Sequence, residues 1–294
     1  MDRYSKGFTL IELVITMTIT SIIAMVVAQL ISRPMTAYAN LSLRTQLVDA
    51  AEISLEKISR ELHSALPNSI RIGCSGKCIE FLRTIDGGRY REVGPGNTLN
   101  FDQASLDSDG FEVLGPLTDP SSIMTSNNAD DCRTGKAHCL VIYNTGQLNH
   151  DVYHLDNIAT ITSINGSPAI ITFAFPGGQS AFPAPSPSQR FSIVDRPISY
   201  LCDDTVNHTL TRYEGYPITT SHSSVDSDSE LMSLSGTTKA LVANRVGGCN
   251  FSYESGSATR SGLVTIRLTL SETMPSGHTE NISLLQQVHV LNTP

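Results

Sequence analysis

The run from Phe8 to Ile31 is dominated by apolar side chains and carries one charge, Glu12, in 24 residues. As a helix rising about 1.5 Å per residue it would be roughly 36 Å long. That exceeds the ~30 Å hydrocarbon core of a bilayer, so the pattern predicts a membrane-spanning helix. A secretory signal peptide has a different layout, with about 7–15 apolar residues followed by a small-residue cleavage site. Here the small residue, Gly7, stands before the apolar run, so cutting there would leave the helix on the mature chain.

Beyond Ile31 the helical period continues. Val48, Ala51, Leu55, Ile58, Leu62 and Ala65 recur at three- and four-residue spacing, and Asp49, Glu52, Glu56, Lys57, Arg60 and Glu61 fill the opposite face. This is an amphipathic helix with a core-packing stripe. Glu56 and Arg60 are placed for an i,i+4 ion pair. Pro34 predicts a kink or local break, and Pro67 predicts the end of the helix. One long helix over about residues 8–66 is therefore expected.

From Ile70 the pattern changes to β. Predicted strands are Ile79–Arg83, Leu140–Asn144, Ala169–Phe175, Arg190–Val194, Ile198–Cys202, Thr209–Tyr213, Asn250–Tyr253, Leu263–Leu270 and Ser283–Leu291. Residues 264–270, Val-Thr-Ile-Arg-Leu-Thr-Leu, alternate as a half-buried strand does. The turn-rich stretches Pro176–Pro187 and Ser221–Glu230 predict exposed loops. There is no internal repeat. A long helix followed by many antiparallel strands gives an α+β fold. The predicted divisions are a leader over 1–7, a membrane helix over 8–31, its amphipathic continuation over 32–66 and a β-rich globular domain over 67–294.

Composition refines this picture. The 294 residues are 40% hydrophobic and 16% charged, without tryptophan, which suits one anchor and one elaborated domain. A formal net charge of −8 argues against a broad DNA-backbone surface, so no nucleic-acid partner is expected. Arg3 and Lys6 precede the apolar run and place the leader in the cytoplasm, with the remainder across the membrane. Six cysteines, Cys74, Cys78, Cys132, Cys139, Cys202 and Cys249, form an even set that reads as disulfides in an oxidising compartment. About 15 connectivities are open to six cysteines. Sequential pairing is the expectation adopted, with two local staples and one long-range tie. The CxxxC and Cx6C spacings do not match CxxC-type zinc sites.

Catalytic signatures are missing: the sequence contains no GxSxG elbow, P-loop or HExxH. His150 and His154, near Asp151 and Asp156, lack a helical context that would make them metal ligands. The acidic segments Asp107–Glu112 and Asp226–Glu230 do not complete a calcium loop. Solvated turns are the expectation for both, and no enzyme activity, metal or cofactor is expected.

Glu12 is the anomaly. A charged side chain inside a membrane helix costs about 2.5–3.5 kcal/mol on insertion scales and ordinarily has a partner. Cleavage after Gly7 would supply one, because Phe8 would become a cationic amino terminus four residues from Glu12. The alternative is a carboxylate reaching water at the membrane face. The string Lys6-Gly7-Phe8-Thr9-Leu10-Ile11-Glu12-Leu13 resembles the processing site of type IV prepilins and type II secretion pseudopilins. That resemblance implies a prepilin peptidase/N-methyltransferase that cuts after Gly7 and methylates Phe8, with Glu12 as the assembly carboxylate. It also implies a pilin-like fold, an inner-membrane anchor with a periplasmic domain, and partnership with other major and minor pilins through the helix and with an inner-membrane assembly platform. Incorporation into an extracellular pilus is the further implication.

A finer likeness lies in Phe191–Val194, Pro197–Cys202 and Leu210–Tyr216, with Arg60–Leu62, Pro67–Arg71 and Gln287–Pro294. These segments resemble minor pilin-like proteins of mannose-sensitive haemagglutinin (MSHA) pilus biogenesis. An initiating or tip subunit is the role this implies. A minor pseudopilin of a type II secretion system, and a tip adhesin or membrane-tethered periplasmic binding module, are the competing readings.

Overall fold

The computed structural model describes residues 7–101, 110–256, 261–274 and 277–291. One helix dominates the N-terminal region: α1, Leu10–His63, 54 residues long. Several of its hydroxyl side chains bond back to carbonyls of the preceding turn. Thr16 Oγ1 donates to the Glu12 carbonyl at 2.9 Å, Thr20 Oγ1 to Thr16 at 2.6 Å and Ser21 Oγ to Met17 at 2.7 Å. These bonds remove most of the cost of carrying polar groups on an apolar helix.

Pro34 does not break α1. The helix continues through it, because a proline removes one backbone hydrogen bond from a ladder held by many others. The C-terminal boundary also differs from the expectation. α1 stops at His63 rather than Leu66, four residues before Pro67. The next residues are captured by a strand instead: Leu66 N–H donates to the Leu82 carbonyl at 2.8 Å, and Thr84 N–H to the Ser64 carbonyl at 2.8 Å.

The chain divides into two compact units, Met1–Asp49 with Ser271–Ile282, and Ala50–Leu270 with Ser283–Pro294. In the first, Arg44 pairs with Glu280 at 3.5 Å. In the second, Ala51, Leu55, Ile58, Leu62 and Ala65 are buried, the face that helical spacing marks out. Ser54 lies on the same buried face, donating to the carbonyls of Ala50 at 2.6 Å and Val242 at 3.2 Å.

The second unit is built on an antiparallel sheet. Its strands are β1 (Arg71–Gly73), β2 (Cys78–Arg89), β3 (Phe111–Glu112), β4 (Cys139–Ile142), β5 (Ile158–Asn165), β6 (Ile170–Ala174), β7 (Arg190–Asp203), β8 (Thr209–Glu214) and β9 (Thr238–Ala243). The order is β1-β2-β7-β4-β5-β6-β3, with β8 also on β7 and β9 on β8. A further three-stranded sheet runs β10 (Val246–Glu254), β11 (Gly262–Thr273) and β12 (Thr279–Val290).

β7 is the hub. β2 lines one edge of it, while its first half pairs with β4 and its second half with β8 on the other. It is a single 14-residue strand, where two, Arg190–Val194 and Ile198–Cys202, are expected from the sequence. A register shift opposite Leu82–Thr84 accommodates the proline, consistent with its confinement to edges and bulges. Two loops expected to be exposed contribute buried side chains. Phe182 joins the cluster around Tyr90, Phe111 and Phe191, and Val225 packs with Tyr213, Tyr216 and Leu231, the last just beyond the expected loop. Leu231 belongs to a short helix, α2 (Asp228–Ser233).

Candidate functional site

Gly7 and Phe8 precede the helix, and Phe8 is exposed. Thr9 and Glu12 close the helix start reciprocally. Glu12 N–H donates to Thr9 Oγ1 at 3.4 Å, and Glu12 Oε2 accepts from Thr9 N–H at 3.1 Å and from its hydroxyl at 2.9 Å. This is a capping box, which satisfies donors that every helix start leaves open. Its signal, Thr-x-x-Glu over residues 9–12, is present in the sequence and supplies a local reason for a carboxylate here. Both Thr9 bonds fall on one carboxylate oxygen, so Glu12 retains capacity for another donor.

Beyond the cap, α1 is long and apolar enough to cross a membrane, and none of its most apolar stretch is buried. Leu10, Ile11, Met17, Ile22, Ile23 and Leu30 are each more than half exposed. An apolar surface of this extent marks a membrane or protein partner. The prokaryotic N-terminal methylation motif matches residues 2–28. It is a type IV pilin-like prepilin signal. The prepilin signal covers the start of the chain, including Gly7, Phe8 and Glu12, and supports a type IV pilin-like protein processed by prepilin peptidase. The motif and the apolar helix together fit membrane anchoring. No curated protein and no solved structure matches the chain significantly.

The globular unit ties α1 down through charge. Arg212, 7% exposed on β8, donates through Nε to Glu61 Oε2 at 2.9 Å and pairs with Glu214 at 2.8 Å. Tyr200 on β7 adds a bond to the same Glu61 oxygen at 2.7 Å. The Tyr200 hydroxyl is held well above its ordinary pKa by burial and by the Glu61 carboxylate beside it.

A second buried cluster joins β1 and β2 to the chain after β8. Glu80 has no exposed side-chain surface and is bound by Arg71 and by the Tyr216 hydroxyl at 3.0 Å. Burial pushes the Glu80 carboxyl up, against the pull of the Arg71 guanidinium. Arg71 lies over the Tyr153 ring at 3.5 Å and donates to the carbonyls of Thr219 at 3.1 Å and Thr220 at 2.8 Å. Burial, then the Arg71 charge, hold His222 below the ordinary histidine pKa.

The cysteines are all paired. Cys74 is joined to Cys78, Cys132 to Cys139 and Cys202 to Cys249, with Cα separations of 5.4, 5.0 and 6.4 Å. The third bond links β7 to β10 across 47 residues of chain.

The other polar candidates do not converge. His154 Nδ1 is 3.0 Å from Asp151 Oδ2, whereas His150 packs edge-on to Tyr143. Asp228 accepts from the Tyr213 hydroxyl and Lys239, and Ser227 caps α2. Of the other acidic segment, Glu112 pairs with Arg91, while Asp107 and Asp109 lie outside the described residues. Among the described residues, no three His, Cys, Asp or Glu side chains are grouped to hold a metal.

Proposed function

We propose that this chain is a minor pilin, cut after Gly7 and N-methylated at Phe8, that helps assemble a type IV pilus. One observation carries the reading: a prepilin signal opens a helix whose apolar surface has no partner inside its own subunit. A helix stored in the inner membrane exchanges lipid for neighbouring helices when it enters a filament. Glu12 meets a neighbour's Phe8 amine in that exchange, where both charges leave water and the pairing sets register. The domain from residue 67 onward faces the periplasm, and the helix engages other pilins and the inner-membrane assembly platform.

The likeness of Phe191–Cys202 and Leu210–Tyr216 to MshO makes an MSHA-type pilus the machine favoured here, with an initiating or tip position. A type II secretion pseudopilin shares the signal and anchor and is separated from it by co-purified partners. The discriminating variant is Glu12→Gln. Glutamine preserves the capping box and removes the charge, so the variant should insert and fold normally while filament incorporation falls at least tenfold. Normal incorporation of Glu12→Gln, measured in sheared filaments, would refute the charge role.

A further inference from the structure

A sheet edge presents a row of unpaired backbone N–H and C=O groups, and edges are ordinarily blunted by shortness, charge, proline or bulges. β1 and β3 are three and two residues long. β9 carries Lys239 and a register shift beside Leu210–Thr211, and β10 has a register shift between Val246 and Gly248. β12 is different. It is 12 residues long, and from Ser283 to Val290 it holds no lysine, arginine, acid or proline. It ends the three-stranded sheet, and among the described residues it pairs with β11 alone.

Beside this edge lies a groove of about 420 Å³, lined by Glu52, Ile53 and Glu56 of α1 and by Leu284, Leu285 and Gln286 of β12. A strand added to β12 would run about 4.8 Å from it, alongside the helix. Ile53 is 67% exposed and Leu285 53% exposed, whereas Ser54, Leu55 and Ile58 on α1 are buried. Each side of the groove thus leaves one large apolar side chain open.

The backbone edge asks for an extended segment, because a strand satisfies such a row of donors and acceptors by pairing along it. The walls indicate its side chains. Ile53 and Leu285 suit apolar ones. Two carboxylates and no cation line the groove. Glu56 has Arg60 at 3.2 Å in an exposed pair, while Glu52 is exposed and has no ion pair among the described residues. A second copy, docked edge to edge, would bring two such acidic rims together on chains of net charge −8. A partner of opposite charge avoids that repulsion. We propose that β12 is a docking edge for an extended basic segment of another protein, paired along Ser283–Val290 with a lysine or arginine at Glu52. This surface is separate from the apolar start of α1, so its test stands apart from cleavage at Gly7 and filament entry.

Detergent-solubilised full-length protein should be titrated, at physiological salt, against the fluorescent peptide Lys-Val-Lys-Val-Lys-Val-Lys and read by anisotropy. A second peptide replaces every lysine by glutamate. Two others carry N-methyl groups on the lysine amides or on the valine amides, so that each blocks one edge of the strand at unchanged charge. The expected result is saturable binding of the parent peptide and of one methylated form, with the other methylated form and the glutamate peptide at least tenfold weaker. Glu52→Lys should weaken binding at least fivefold while melting as wild type does. Asp130→Lys, the same charge change at an exposed site outside the groove, should bind as wild type. No saturable binding of the parent peptide, equal binding of the glutamate peptide, equal binding of the two methylated forms, or undiminished binding by Glu52→Lys would overturn the proposal. So would an affinity that falls as protein concentration rises, which would show copies of the chain occupying each other's edge.

Discussion

At the residue scale, the account turns on side chains that serve the fold and the function together. Glu12 is the clearest case. Its capping box explains a carboxylate at the helix start without reference to assembly, so a Glu12→Ala variant would confound two effects that glutamine separates. Glu61 acts further along α1 as the shared acceptor of Arg212 and Tyr200. Truncating one member of a buried charge cluster costs about 3–5 kcal/mol, and partial exposure of Glu61 reduces that. Glu61→Ala should therefore destabilise the domain by about 3 kcal/mol in urea denaturation, and a loss under about 0.5 kcal/mol would contradict the tie.

Titration adds a second test at this scale. The Asp203 carboxyl is held far below its ordinary value by the N–H groups of Val206, Asn207 and Thr205. A depressed acid stabilises the folded state above its unfolded pKa, near 3.8, and the contribution is lost as pH falls toward the folded value. Asp203→Asn should lower Tm at pH 7, and the gap to wild type should narrow below about pH 4. A gap that stays constant down to pH 2 would contradict this.

At the scale of elements, legibility followed periodicity. The apolar span and the buried stripe of α1 were readable because helical spacing repeats over many turns. β11 is readable because Val264–Leu270 alternates. Four strands lie outside the predicted set: β1 and β3 are two or three residues long, β5 mixes threonine and serine into its alternation, and β9 is largely exposed. Two strands expected over Arg190–Val194 and Ile198–Cys202 are one strand through Pro197, and α1 runs unbroken through Pro34. A local rule weighs a proline by the hydrogen bond it removes, whereas a hub strand and a long helix absorb that loss. The Pro176–Pro187 loop misled oppositely, because its turn residues concealed an aromatic plug. Phe182→Ala should cost about 3–5 kcal/mol by cavity formation, and a chevron or melting comparison showing under 1 kcal/mol would make the loop peripheral.

At the scale of the whole molecule, the sequence expressed the division of labour more fully than the local geometry. An exposed apolar helix carries the prepilin signal, and a disulfide-bonded unit carries the β-sheets and their loops. The Cys202–Cys249 bond closes the longest loop of the three. Replacing both cysteines by alanine should therefore cost about 2–5 kcal/mol by releasing the unfolded chain, read as a fall in urea midpoint. An unchanged midpoint would show that packing between β7 and β10 suffices.

The central claim is that this chain enters a pilin pathway through cleavage at Gly7. Intact and N-terminal peptide mass spectrometry of the membrane-extracted protein tests it most directly. The account predicts a chain beginning at N-methylated Phe8. A chain beginning at Met1, in cells that process other prepilins, would contradict it and leave a membrane-tethered module as the better description.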